Sequence, residues 1–162
     1  MDFDRKVKRA FQRLCTGLSI GCNQGAYYRF MTLTTAKGVD RDINKDFDVL
    51  KMRILRAKPG RDCFFGFKFN RYFKLKTAEG NGVLHIIYWG RFIPQEWLSR
   101  AWSEIHQSSI VDIRSAYCKR GQNVKGFVGY LLTNYLTKQP ILCMSYGLAW
   151  LGEVMGARQK NT

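Results

Sequence analysis

Apolar residues recur along this chain with two periods, and the switches between them mark its elements. Phe3, Val7, Phe11 and Leu14 stand at helical spacing against Arg5, Lys6, Lys8, Arg9 and Arg13, which predicts an amphipathic helix over 3–16. Gly17 to Gly25 reads as a loop. Tyr27 to Thr35, rich in aromatic and β-forming residues, predicts a strand, and Lys37 to Asp42 a turn. Phe47, Leu50 and Ile54 return to the helical period over 44–57, where Pro59-Gly60 stops the helix. Residues 64–77 alternate. Phe67, Phe69, Arg71, Phe73 and Leu75 fall on one face of a predicted strand, and Lys68, Asn70, Tyr72, Lys74 and Lys76 on the other, so its outer face is expected to be basic and partly aromatic.

The second half continues in the same way. Glu79-Gly80-Asn81-Gly82 is a hairpin signal. Val83 to Trp89 is almost wholly apolar and predicts a central strand. Pro94 opens a helix with Trp97, Leu98, Ala101, Trp102 and Ile105 as its buried stripe. A strand over 110–117, a basic loop over 119–125, a helix over 126–138 and a strand over 141–150 complete the pattern, and 157–162 is a polar tail. The order after the first helix is therefore βαββαβαβ. The expected fold is α+β: an antiparallel central sheet of about five strands with helices packed on it. The chain of 162 residues reads as a single domain with its core over 27–151.

Charge adds a partner to this picture. Lys and Arg number 27 against 12 Asp and Glu, a net charge of +15. Such an excess repels itself and favours an anionic partner, first of all a nucleic acid. No apolar run approaches the ~18 residues of a membrane span, so a cytoplasmic protein with no membrane partner is expected. Cys15, Cys22, Cys63, Cys118 and Cys143 are odd in number, scattered and without a C-x-x-C pair, which suits reduced structural thiols rather than a zinc module. Lys68, Tyr72, Lys74 and Lys76 on one predicted strand face, with Lys119, Arg120, Lys125 and Tyr130 ahead of and on the last helix, mix cations with aromatics. That mixture suits a single strand, with cations on phosphates and rings under bases. The plainer reading of each run is a solvated charged face.

Four segments carry a resemblance: FMTLTT at 30–35, GVLHIIYWG at 82–90, GYLLTNYLTKQ at 129–139 and MSYGLAW at 144–150. In this order and spacing the chain resembles the HUH superfamily of rolling-circle replication initiators and nicking endonucleases, in particular the small single-domain plasmid and viral types. Their fold is HUH or RRM-like. The resemblance implies a metal-dependent single-stranded DNA endonuclease and ligase that works by tyrosine transesterification. In such a reaction a tyrosine hydroxyl attacks a backbone phosphodiester and holds the new 5′-phosphate covalently. Tyr135 corresponds to the nucleophile, and Lys138, three residues on and about 60° around the axis, shares its face. Some members carry a second tyrosine four residues earlier, where this chain has Leu131. The resemblance also implies Mg or Mn on two histidines flanking one apolar residue. His85 matches the second of them, but Val83 stands at the first, so the metal motif is degenerate. Glu79 and Asn81 in the adjoining turn are candidate oxygen ligands, with His106 and Asp112 further afield.

Three functions compete on this footing. The first is an enzyme that nicks and rejoins single-stranded origin DNA, with unwinding left to a separate helicase, since no G-x-x-x-x-G-K-[ST] occurs, and synthesis left to a polymerase. The second is a catalytically inactive binder of origin or hairpin DNA. The third is an RNA-binding sheet domain. Tyr135 as a buried helix aromatic and His85 as a hydrogen-bonded core histidine are the structural alternatives to their chemical roles.

Overall fold

The computed structural model describes residues 27–57, 67, 69, 71–78, 80–117 and 141–146, together with 5, 9, 12–14 and 16–18 near the N-terminus. Its strands are β1 (Tyr27–Thr34), β2 (Tyr72–Thr77), β3 (Val83–Trp89), β4 (Val111–Tyr117) and β5 (Ile141–Tyr146). Helix α1 (Ile43–Leu55) follows β1, and α2 (Gln95–His106) follows β3. The five strands form one sheet in the order β4-β1-β3-β2-β5, antiparallel at every pairing, so the expected α+β architecture is the observed one. The predicted helix over 126–138 and the last four residues of the predicted strand over 141–150 lie outside the described residues.

Each helix forms where its pattern and caps agree. Asp42 caps α1, its Oδ1 accepting from the Asn44 amide at 2.9 Å and the Lys45 amide at 3.4 Å. Ile43, Phe47, Leu50 and Ile54 then bury one stripe. Pro94 precedes α2, whose buried stripe is Leu98, Ala101, Trp102, Ile105 and His106. Trp97, expected in that stripe, is only partly buried. Gln107 ends the helix in the left-handed region at φ 57°, a place where glycine is commoner. Near the N-terminus, residues 16–18 are helical, so the first helical segment runs past the predicted loop start at Gly17.

Side-chain alternation sorts the sheet into two faces. Met31 and Leu33 of β1, Leu84, Ile86 and Tyr88 of β3, and Val111 and Ile113 of β4 form one core with both helices. Tyr28, Phe73, Leu75, Val83, His85 and Ile87 point to the other face and are buried there too. Tyr28 donates its hydroxyl to the Leu18 carbonyl at 3.0 Å, which ties the N-terminal segment to this second face.

Burial on both faces corrects the reading of residues 64–77. The strand begins only at Tyr72. Phe69 and Tyr72, three residues apart, both enter the helix-side core, which an unbroken alternating strand does not allow. Phe69 packs on Phe47, Tyr72 and Tyr88, with ring centroids 5.7, 5.5 and 4.5 Å away. The face expected to be basic and outward is in fact the face under α1. Tyr72 and Lys74 are 7% and 8% exposed, and Lys76 is partly buried. The Lys74 and Lys51 ammonium groups each lie 5.1 Å from the Phe47 ring centroid. Lys51 also donates to the Tyr72 hydroxyl at 3.1 Å and pairs with Asp48 at 2.9 Å. Burial pulls the Lys51 pKa down, and these two partners more than offset it, so Lys51 stays charged above its ordinary value.

The helices are joined to each other and to β1 by one buried carboxylate. Both oxygens of Asp46 on α1 accept from the Arg41 guanidinium, at 2.8 and 2.9 Å. His106 Nδ1, at the end of α2, meets Asp46 Oδ2 at 2.6 Å. An ionised carboxylate only accepts, so Nδ1–H is the donor there, and Nε2 meets the Thr35 hydroxyl at 2.9 Å. Trp102 stacks on His106 with centroids 4.7 Å apart and donates its indole N–H to the Thr34 carbonyl at 2.8 Å. Arg41 holds the Asp46 pKa below the usual carboxylate range against the opposing cost of burial, with the His106 hydrogen bond adding to the lowering.

Two outcomes test this packing. Asp46→Ala strands His106 and is expected to cost about 3 kcal/mol in denaturant unfolding at neutral pH. Because the Asp46 pKa is depressed by folding, its contribution is complete above the unfolded pKa of ~3.9 and is lost as pH falls through the lower folded value. Asp46→Asn should therefore show a shallower loss of stability below about pH 4 than the parent chain. Separately, a Cβ at Gly90 would lie 2.0 Å from Phe67 Cζ, so Gly90→Ala should lower the unfolding midpoint by the equivalent of about 1–3 kcal/mol.

Candidate nucleic-acid interface

The strand that carries GVLHIIYWG is β3, the middle strand of the five. On it Val83, His85 and Ile87 share the face turned away from α1 and α2. The register sets His85 beside Thr32 on β1 and Leu75 on β2. His85 is 6% exposed. The two positions flanking Leu84 thus lie on one face of the strand, and one of them is valine.

Whether the side chains present suit a divalent ion follows from this register. Along β3, the neighbours of His85 on its face are Val83 and Ile87, which offer no donor atoms. Asp112 stands opposite Thr32 and so reaches the same row, but two strands over, about 10 Å away at normal strand spacing. A metal–oxygen bond spans ~2.0–2.6 Å. Asp112 is instead held by Arg114 at 2.8 Å on its own strand. His106 lies in the Asp46 network at the far end of α2. Asn81 is exposed in the turn between β2 and β3, where Gly80 and Gly82 take positive φ. Among the described residues no group of three His, Cys, Asp or Glu side chains could hold a metal ion, and the residues around His85 do not fit one.

Other expected site residues divide in two. Tyr135, Lys138, Lys119, Arg120, Lys125, Tyr130, Lys68 and Glu79 lie outside the described residues. Tyr72 and Lys74 lie under α1, a correction to their expected place on an outward basic face, because both faces of β2 are covered. Lys76, on the same face, keeps partial exposure.

The structure adds a group of residues that periodicity did not single out, at the end of β3. The Arg71 guanidinium lies 4.7 Å from the Trp89 ring centroid, and the Trp89 amide donates to the Arg71 carbonyl at 3.0 Å. Arg29 lies 5.5 Å from the Phe92 ring centroid, and its Nε donates to the Gly90 carbonyl at 3.3 Å. A second Arg29 nitrogen donates to the Ser115 hydroxyl. The Tyr88 hydroxyl donates to the Arg91 carbonyl at 2.8 Å, and burial pushes the Tyr88 pKa upward, so it remains a donor. The sequence signal was present as the Trp-Gly-Arg-Phe run at 89–92, but only the fold brings Arg29 and Arg71 to it.

No helix among the described residues is long and apolar enough to cross a membrane. No protein-family model, curated protein or solved structure matches this chain.

Proposed function

We propose that this chain is a replication-initiator-like protein that binds single-stranded or hairpin DNA. The observation that carries the reading is the position of the GVLHIIYWG strand. It is the middle strand of an antiparallel sheet, and His85 and Val83 face away from both described helices. The net charge of +15 supplies the attraction for a polyanion. Val83 beside His85 favours binding without cutting, since Val83, Ile87 and Leu75 next to the imidazole offer no ligand atoms for a divalent ion.

A second reading, nicking and rejoining through Tyr135 with Lys138 three residues on, is supported by one feature: His85, which the resemblance assigns to the metal, lies on the middle strand of the sheet. Two measurements separate the readings. The full chain should bind a single-stranded oligonucleotide and lose about a hundredfold in affinity between ~50 and ~200 mM salt, if roughly five phosphates are neutralised. Salt-independent binding, or no binding, removes the proposal. With Mg or Mn added, a denaturing gel should show no covalent protein–DNA band. A band that forms in the parent chain and vanishes in Tyr135→Phe would replace the binder reading with the nicking one.

A further inference from the structure

The Asp46 network ends on a hydroxyl, and the direction of its hydrogen bonds bears on what that hydroxyl can do. Arg41 keeps Asp46 ionised, so the carboxylate only accepts, and His106 Nδ1 carries the proton between them at 2.6 Å. Nε2 of the neutral ring is then an acceptor, and its partner at 2.9 Å is the Thr35 hydroxyl. Thr35 thus donates its proton to an imidazole whose tautomer a buried carboxylate sets. Trp102, stacked on the ring with centroids 4.7 Å apart, fixes its plane. Asp46 and His106 are buried, whereas Thr35 is partly exposed, so the bonds run from the interior toward the surface.

A fourth side chain lies beside these three. The Thr35 amide donates to the carbonyl of Gly82, just before β3, at 3.1 Å. A Cβ at Gly82 would stand 3.7 Å from Thr35 Oγ1 and 3.9 Å from Lys76 Cε, so the glycine lets the lysine stem lie next to the hydroxyl. We propose that Thr35, His106, Asp46 and Lys76 form an acyl-transfer site that hydrolyses small carboxylic esters. Thr35 Oγ1 attacks the ester carbonyl as its proton passes to His106 Nε2. Asp46 is a positioning residue: it holds the ring and offsets the charge of the imidazolium. The Lys76 ammonium is the cation at hand for the negative charge that develops on the carbonyl oxygen. When the bond from the acyl carbon to the alcohol oxygen breaks, Nε2 gives its proton to that oxygen, and the acyl group stays on Thr35. Water then attacks the acyl carbon and gives a proton to Nε2. The bond to Thr35 Oγ1 breaks, the threonine takes that proton back, and the acid leaves. This activity is separate from DNA binding, and the failure of either reading leaves the other standing.

Hydrolysis of p-nitrophenyl acetate by the full chain tests the site. The parent should release nitrophenolate with saturable kinetics, and peptide mass spectrometry after an acid quench should place an acetyl group on Thr35. Thr35→Val keeps the shape and loses the hydroxyl, and should abolish both. Thr35→Ser returns the hydroxyl and should restore both. Lys76→Met keeps the stem and removes the charge, and should lower kcat about a hundredfold. Asp46→Asn should lower kcat per folded molecule by about a hundredfold or more with KM unchanged, because an amide lets the ring take the other tautomer, in which Nε2 no longer accepts from Thr35. Thermal unfolding gives the folded fraction of each variant, and a purely structural role for Asp46 would move that fraction and not kcat per folded molecule. A parent rate no higher than that of Thr35→Val, or acetyl groups found only on lysines or cysteines, overturns the proposal.

Discussion

A carboxylate 4% exposed inside a domain has to be neutralised, and in this chain the means of neutralising Asp46 also sets the arrangement of the helices. Arg41 comes from the turn before α1, His106 from the last turn of α2, and Thr35 from the end of β1. Each is needed to satisfy the next. The consequence is directional: apolar packing alone would tolerate some sliding of α1 against α2, whereas two hydrogen bonds on one imidazole fix the end of α2 over the end of β1.

Sequence periodicity located best the elements whose apolar pattern matches their burial: the almost wholly apolar β3 has its predicted bounds, Val83–Trp89, and is covered on both faces. Helix α1 falls within two residues of its predicted bounds and α2 starts directly after the predicted Pro94, because Phe47, Leu50 and Ile54, or Leu98, Ala101 and Trp102, mark one stripe to bury. Residues 64–77 misled for the opposite reason. Their alternation of aromatic and basic residues resembles a half-exposed strand, yet Lys74 is buried by laying its stem along Phe47, so its charge does not mark an outer face. A lysine buried against an aromatic ring has the same letter as one in water. The Asp46 network was equally hidden: its four members span 35 to 106, and no spacing links them.

The candidate site was legible in part. That His85 lies on a central strand could be read from the apolar run around it, and its register with Thr32 and Leu75 agrees. What surrounds it could not be read, because the neighbours of a central strand come from other strands. The same limit applied to the end of β3, where Arg29 and Arg71 are distant in sequence and adjacent in space to the Trp-Gly-Arg-Phe run.

The ion pair of Asp112 with Arg114 adds nothing to His85, but its location gives it another consequence. Among the described strands β4 has a partner on one side only, and Ile110, just before it, is 72% exposed. A sheet edge with spare amides and carbonyls invites a strand from another molecule. Two opposite charges two residues apart on that edge must be stripped of water before a second chain can dock, which discourages self-association and domain exchange in a protein that is otherwise rich in β-forming sequence.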